Sequence, residues 1–278
     1  MTGFSYKGND TNHIISHTVD NVTTYEKLVL GTFSQLSEMV GHDRDNVIGE
    51  ATITRPVPNE YGTQYQNPSF SYCLIKENNE PFTDAEQIIV ERWLTSPKFS
   101  SPLVIFDCYT ENEIITYDGK FINTEWVVSD DGYAGVTFTF QSASPYPYKS
   151  YVKQYEVRGT STITLNCESD ELEEYTYPVV EFYAPSSTNN VTITNTTDGG
   201  NSLTIKARDR LRTIMDCDHC ILKDTTSGVI DFDDVGWDDV GNIYWLRLLA
   251  GNNSLSISGN VDLKISYKAV VKRAGGWL

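Results

Sequence analysis

The chain is 278 residues long and carries 21 Lys+Arg against 38 Asp+Glu, a formal net charge of −17. A chain this acidic is excluded as a binder of nucleic-acid phosphates or of an anionic membrane surface, since both recruit basic clusters. Its 39% hydrophobic and 12% aromatic content excludes a disordered acidic tail, and the length allows two domains at roughly 100–200 residues each.

The first residues, Met1-Thr2-Gly3-Phe4-Ser5-Tyr6-Lys7, lack the apolar stretch of a secretory signal, so folding in a cytoplasm is expected. No apolar run approaches the roughly 18 residues of a membrane span. The segment Gly41–Pro68 is weakly patterned and rich in Gly and Pro. It is long for an ordinary loop and reads as a functional arm or an irregular hairpin.

One helix is predicted near 83–95. Thr83 followed by Glu86 is a capping box, in which each residue's side chain satisfies the other's backbone N–H. Ala85, Ile88, Ile89 and Trp93 then share one helical face, and Pro97 stops the helix. Trp93 reads as core packing, with a subunit interface as the alternative.

Period-two alternation dominates the rest. Val136, Phe138 and Phe140 face one way, and Thr137, Thr139 and Gln141 the other. The prolines of Ser142-Ala143-Ser144-Pro145-Tyr146-Pro147-Tyr148 suggest an extended linker, which divides the chain into domains at 1–145 and 146–278. Beyond it, Val191/Ile193, Leu203/Ile205, Leu255/Ile257 and Val261/Leu263/Ile265/Tyr267 each alternate with polar residues, as half-buried strands do. Thr197-Asp198-Gly199-Gly200-Asn201 reads as a hairpin turn between two of them. The expected fold class is mainly β: an N-terminal β-sandwich or barrel-like domain with one α-helix, followed by a second β-sandwich.

Signatures of chemistry are missing. The sequence has no GxSxG, HExxH, GxxxxGKS/T or GxGxxG. With 38 acids, some facing carboxylate pair is always conceivable, so none singles out glycosidase chemistry. The five cysteines, Cys73, Cys108, Cys167, Cys217 and Cys220, are odd in number and make no disulfide framework. Cys217 and Cys220 form a CxxC without the second pair that a structural zinc site needs, and read as buried strand-end thiols. His13 and His17 share helical spacing in a stretch that is a poor helix. The acidic run Asp231, Asp233, Asp234, Asp238, Asp239 is the best metal candidate. Read as a calcium loop, Asp231 and Asp233 fit, but Val235 occupies a position that needs an oxygen ligand and Asn242 the position of a bidentate Glu. The run therefore reads as a solvated loop, with Asp231, Asp233 and Asp234 kept as a weak calcium candidate. No catalytic residue, metal or cofactor is expected.

Several strand and turn patterns occur together in a recognisable order. They include Phe4-Ser5-Tyr6-Lys7-Gly8, Phe82-Thr83-Asp84-Ala85-Glu86, Glu91-Arg92-Trp93-Leu94, Leu103-Val104-Ile105-Phe106-Asp107 and Tyr117-Asp118-Gly119. Thr137-Phe138-Thr139-Phe140 then runs into Ser144-Pro145. In the second half come Tyr177-Pro178-Val179-Val180-Glu181-Phe182, Val191-Thr192-Ile193-Thr194-Asn195, Met215-Asp216-Cys217 and the run Leu249–Gly259. In these the chain resembles the distal tail protein (Dit) family of long-tailed siphophages. The resemblance covers nearly the whole chain. It departs at Gly41–Pro68, at the acidic 231–239 loop and at the Ala274–Leu278 tail. It implies an N-terminal β domain that assembles as a hexameric ring and a galectin-like C-terminal sandwich. The ring would join the tail tube to the tail-hub protein, often anchor receptor-binding proteins, and let DNA pass. Such a protein is assembled in the host bacterial cytoplasm and resides at the virion tail tip. It needs no enzyme activity, membrane or sequence-specific nucleic acid.

Three expectations follow. Part of the negative charge lines the DNA channel, where it repels phosphate. The 41–68 segment reaches a neighbouring subunit, as the heterologous contacts of a ring require. Trp277, after Gly275-Gly276, anchors on a neighbour or belongs to a free end. The rival reading is a lectin-like module for the host wall, using aromatics among Tyr175, Tyr177, Tyr183, Trp237, Tyr244 and Trp245.

Overall fold

A computed structural model of the chain describes residues 2–6, 14–16, 28–31, 44–48, 60–76, 79–107, 112–183, 189–207, 212–224, 228–229 and 244–272. The chain divides into two units, Met1–Tyr148 with Lys272–Leu278, and Lys149–Val271. Both are mainly β, with one helix among the described residues.

The first unit contains β1 (Thr2–Tyr6), β2 (Ile14–Ser16), β3 (Leu28–Gly31), β4 (Arg44–Ile48), β5 (Glu60–Tyr65) and β6 (Ser69–Lys76). α1 (Asp84–Thr95), β7 (Ser101–Asp107), β8 (Glu113–Ser129) and β9 (Gly132–Ser142) follow. The strands pair in the order β2-β1-β7-β8-β9-β6-β3, all antiparallel. The long strand β8 changes partner along its length. Its residues up to Gly119 pair with β7, and those from Gly119 onward with β9. A side chain at Gly119 would overlap the Gln141 carbonyl and the Phe140 ring, so the handover needs glycine.

The alternation read from Val136, Phe138 and Phe140 is present, with all three buried. Phe121 meets Phe138 and Phe140 edge-on, with ring centroids 4.8 and 5.3 Å apart, the favoured aromatic geometry. The capping box also forms. The Thr83 N–H donates to Glu86 Oε2 at 2.7 Å, and the Glu86 N–H donates to Thr83 Oγ1 at 3.4 Å. The buried face of α1 differs from the expected one. Ala85 and Ile88 are exposed and Ile89 is partly exposed, whereas Val90, Trp93 and Leu94 are buried. Glu86 sets this rotation. Its carboxylate turns inward to the nearly buried Lys76 ammonium at 2.7 Å, so the inner face runs 86, 90, 93, 94. Trp93 is 3% exposed. Its side chain belongs to the core of the first unit rather than to its surface.

The segment expected to be an extended linker is bent and fastened to the first unit. The Ala143 N–H donates to the Asp118 carbonyl at 2.7 Å, and Tyr148 OH to Asp118 Oδ1 at 3.0 Å. Ser142 and Ser144 hydroxyls cap the Ser144 and Tyr146 carbonyls, each at 2.7 Å.

The second unit contains most of β10 (Tyr148–Cys167), then β11 (Val179–Tyr183), β12 (Asn189–Asn195) and β13 (Asn201–Ala207). β14 (Arg212–Asp216), β15 (Ile221–Asp224), β16 (Gly228–Val229) and β17 (Gly251–Val270) complete it. One run of strands is β16-β15-β14-β11-β17-β10; the other is β13-β12-β17. β17 belongs to both. Leu255–Ser258 pairs with β12, and Asp262–Ser266 pairs with β11. The two strands expected at 255–258 and 261–268 are thus one strand. Ile257 and Val261 are an even number of residues apart, so Leu255, Ile257, Val261, Leu263, Ile265 and Tyr267 all stay on the buried side. Gly259 sits at the handover with φ +119°, and a Cβ there would lie 2.8 Å from the Asn190 carbonyl oxygen. Thr197–Asn201 forms the expected turn between β12 and β13.

Cys217 and Cys220 bracket the turn from β14 to β15. Cys217 is buried, as read. Cys220 is exposed, because its backbone at φ +55° turns the residue out of the strand.

Candidate assembly and binding surfaces

Of the residues singled out in the sequence, Asp231, Asp233, Asp234, His13, His17, Trp237 and Trp277 lie outside the described residues. Among the described residues, no group of three or more His, Cys, Asp or Glu could hold a metal ion, and no helix is long and apolar enough to cross a membrane.

The first unit offers a hairpin and an apolar patch. β4 and β5 form a two-stranded sheet of their own, paired from Arg44↔Tyr65 to Ile48↔Glu60 with a bulge at Val47/Ile48. This sheet lies within the 41–68 segment. Asp45, Val47, Thr63 and Gln64 are all exposed, so neighbours on opposite faces of β5 are solvated. A two-stranded hairpin is marginal without a packing partner. Separately, Val128 on β8 pairs with Tyr133 on β9, and both are exposed, Val128 at 67%. Tyr133 also lies edge-on to Trp126, whose indole N–H donates to Glu91 at 2.8 Å.

In the second unit the most ordered polar cluster is centred on Asp198 in the β12–β13 turn. Its carboxylate accepts from Arg247 Nε at 2.8 Å, Arg247 Nη2 at 3.2 Å and Tyr244 OH at 2.8 Å. Arg247 stacks over the Tyr175 ring at 4.0 Å. Beneath it, Asn195 Nδ2 donates to the Arg247 carbonyl at 2.9 Å, while Asn253 both receives from the Leu249 N–H and donates to its carbonyl. Burial raises the Asp198 carboxyl's pKa, but the hydrogen bonds from Arg247 and Tyr244 outweigh it and hold the group below its ordinary value. The same contacts push Tyr244 and Arg247 upward, burial leading for Tyr244 and the Asp198 hydrogen bond for Arg247. Both carboxylate oxygens of Asp198 are engaged from within. The cluster is a clamp between a turn and the 244–249 segment, and it absorbs Tyr175 and Tyr244 into structure.

A groove of about 410 Å³ lies on the outward face of the second unit. It is built from register. On β17, β11 and β14, Asp262, Tyr183 and Arg212 stand directly abreast, and Lys264 stands beside Glu181 in the next row. Lys264 Nζ meets Glu181 Oε1 at 2.6 Å, and Arg212 meets Glu181 Oε2 at 3.5 Å. The alternation of β11 and β17 that buries Phe182 and Leu263 is what turns these polar neighbours outward. Sequence reading named Tyr183 but missed the rest, because the row joins residues up to 79 positions apart across three strands, a pairing no local pattern announces.

The sequence matches two family models in succession. Residues 25–144 match the phage tail protein N-terminal domain, and residues 146–267 match the phage tail C-terminal domain. No curated protein matches the sequence significantly. Among solved structures, the chain is similar to the Dit protein of phage SPP1, described as a paradigm of the hub adsorption apparatus in phages infecting Gram-positive bacteria. The TM-score is 0.57 at 12% identity, over 98% of this chain and 99% of that one. It is also similar to a chain of the phage P2 baseplate in its activated conformation with calcium, with a TM-score of 0.53, 12% identity, and coverage of 97% and 99%. The same baseplate with strontium gives a TM-score of 0.54 at the same identity and coverage. At such identity these likenesses speak for the fold.

Proposed function

The chain belongs to the phage tail protein family, having that family's N-terminal and C-terminal domains in tandem, and from this premise we propose that it is the distal-tail hub of a tail tip. Six copies close a ring that joins the tail tube to the tail-hub protein, lets DNA through, and gives a receptor-binding protein its anchorage. The first unit is the ring-forming part, and the second is a galectin-like sandwich. The role is structural and calls for no catalytic residue. Assembly takes place in the host cytoplasm, and the finished protein resides in the virion tail.

The observation that carries this reading is the tandem family match, seconded by a fold likeness spanning 99% of the SPP1 Dit chain. A cyclic ring needs two different patches that fit one another. The β4–β5 hairpin supplies one: its Tyr65 packs on Tyr146, while Asp45, Val47, Thr63 and Gln64 stay solvated and are open to a neighbour. Val128 and Tyr133 supply apolar surface of the kind that interface cores use. The net charge of −17 suits a channel that must not retain DNA.

Negative-stain imaging of the purified protein, with its mass by light scattering, tests the proposal. Six-fold rings with a central hole are expected, alone or after mixing with the tail tube protein. A monomer under both conditions refutes it.

A further inference from the structure

A groove runs across β10, β17, β11 and β14. We propose that it binds a neutral oligosaccharide.

Its volume of about 410 Å³ falls within the range of roughly 300–1,000 Å³ typical of small-ligand sites. Its floor is sheet, so the side chains stand at positions fixed by register, the rigid placement a recognition site needs. Tyr183, 37% exposed, offers a ring on which the apolar face of a sugar can lie, and Tyr155 lines the same groove. Around them, carboxylates and cations supply acceptors and donors that match hydroxyls, which do both.

Charge decides the class of ligand. In a chain of net charge −17, this face is nearly balanced: the groove's Glu156, Glu181 and Asp262 stand with its Lys264 and Arg212, and Arg158, beside the groove, pairs with Asp262. The pairs are made, with Arg158 to Asp262 at 2.6 Å and Lys264 to Glu181 at 2.6 Å. An anionic phosphate polymer gains nothing from a nearly balanced surface on an acidic protein. A protein partner is disfavoured for a different reason, since interface cores are depleted of charged residues and this groove is built from them. A neutral polyol uses the remaining lone pairs and N–H groups without displacing the ion pairs.

The test uses the full chain on an array of neutral di- to tetrasaccharides of hexoses and N-acetylhexosamines, beside poly(glycerol phosphate). Hits are titrated against wild type, Tyr183→Ala and Arg212→Gln, all checked for unchanged thermal unfolding. Hydroxyl-radical footprinting of the wild type reads Tyr183 directly, so the test survives a variant that misfolds. At least one neutral glycan is expected to bind, to weaken about tenfold in each variant, and to shield Tyr183 from oxidation. The proposal is overturned by no neutral glycan binding at millimolar concentration, by binding of the phosphate polymer alone, or by glycan binding that leaves Tyr183 unshielded. Shielding of this face by a purified tail protein, with no glycan bound, overturns it as well. The ring assay is independent, so either proposal can fail without the other.

Discussion

Replacing Asp198 with alanine removes the acceptor on which Arg247 and Tyr244 converge. Hydrogen bonds to a charged group contribute about 1.5–3 kcal/mol each net of solvation, and breaking a fully buried ion pair costs about 3–5 kcal/mol. Asp198 is 7% exposed, but the Arg247 side chain retains 32% exposure, so the stranded guanidinium recovers part of its hydration. The expected loss is therefore about 3 kcal/mol, at the lower end of the buried-pair range. For a unit the size of Lys149–Val271 that lowers Tm by about 10 °C. Calorimetry of the full chain reads the shift in the second unit's transition. Hydrogen exchange at Leu248 and Thr176, whose N–H groups bond each other's carbonyls at 2.8 and 2.9 Å, reports local opening of the clamp. A cycle with Arg247→Met is expected to show coupling of about 1–2 kcal/mol. The pH dependence has a definite sign. The native carboxyl titrates below its ordinary value of 3.8, so its contribution is complete above that value and disappears as pH falls through the depressed native one. The advantage of wild type over Asp198→Asn should thus be constant near neutrality and shrink only in strong acid. A loss below about 0.5 kcal/mol for Asp198→Ala, the scatter of ordinary surface changes, would refute the reasoning.

Gly259→Ala forces a side chain into positive φ and against the Asn190 carbonyl; a loss of about 2–3 kcal/mol in urea unfolding of the second unit is expected. Glu86→Ala removes both the capping box and the partner of the nearly buried Lys76; it should destabilise the first unit by about 2–4 kcal/mol, more than the roughly 1 kcal/mol of Thr83→Ala, in denaturant titrations. Deleting residues 41–68 should leave a folded monomer by circular dichroism and light scattering, whereas an unchanged ring removes the arm from the assembly model.

The sequence made visible what short-range physics determines. Period-two alternation located β9, β12, β13 and β17, because a sheet with one wet face sorts its residues by parity. Turn chemistry located Thr197–Asn201, and the Thr83–Glu86 pair located the start of α1. The helix face was misread because apolar spacing alone favoured Ala85 and Ile88, while the rotation answered to Lys76, a partner seven residues before the cap. The separation of 255–258 from 261–268 failed for a related reason. Gly259 and Asn260 look like a break, yet parity runs through them, and only the sheet on each side shows that one strand serves both. The Asp198–Arg247 clamp spans 49 positions and the groove joins three strands, so neither had a local signature. The fold class was therefore readable, whereas the polar constellations, which come from long-range pairing, were not.

The double allegiance of β17 bears on how the second unit comes into being. β17 is the last strand of that unit in chain order, yet β10, β11 and β12 all pair with it. During synthesis the ribosome releases those partners first, and each must wait with an edge unpaired until Gly251–Val270 emerges. Edges left open in this way are where chains aggregate. The first unit's sheet, by contrast, can close while translation continues. An early stop within β17 should then yield a chain whose first half is native and whose second half accumulates as insoluble strands rather than as a loosened sandwich.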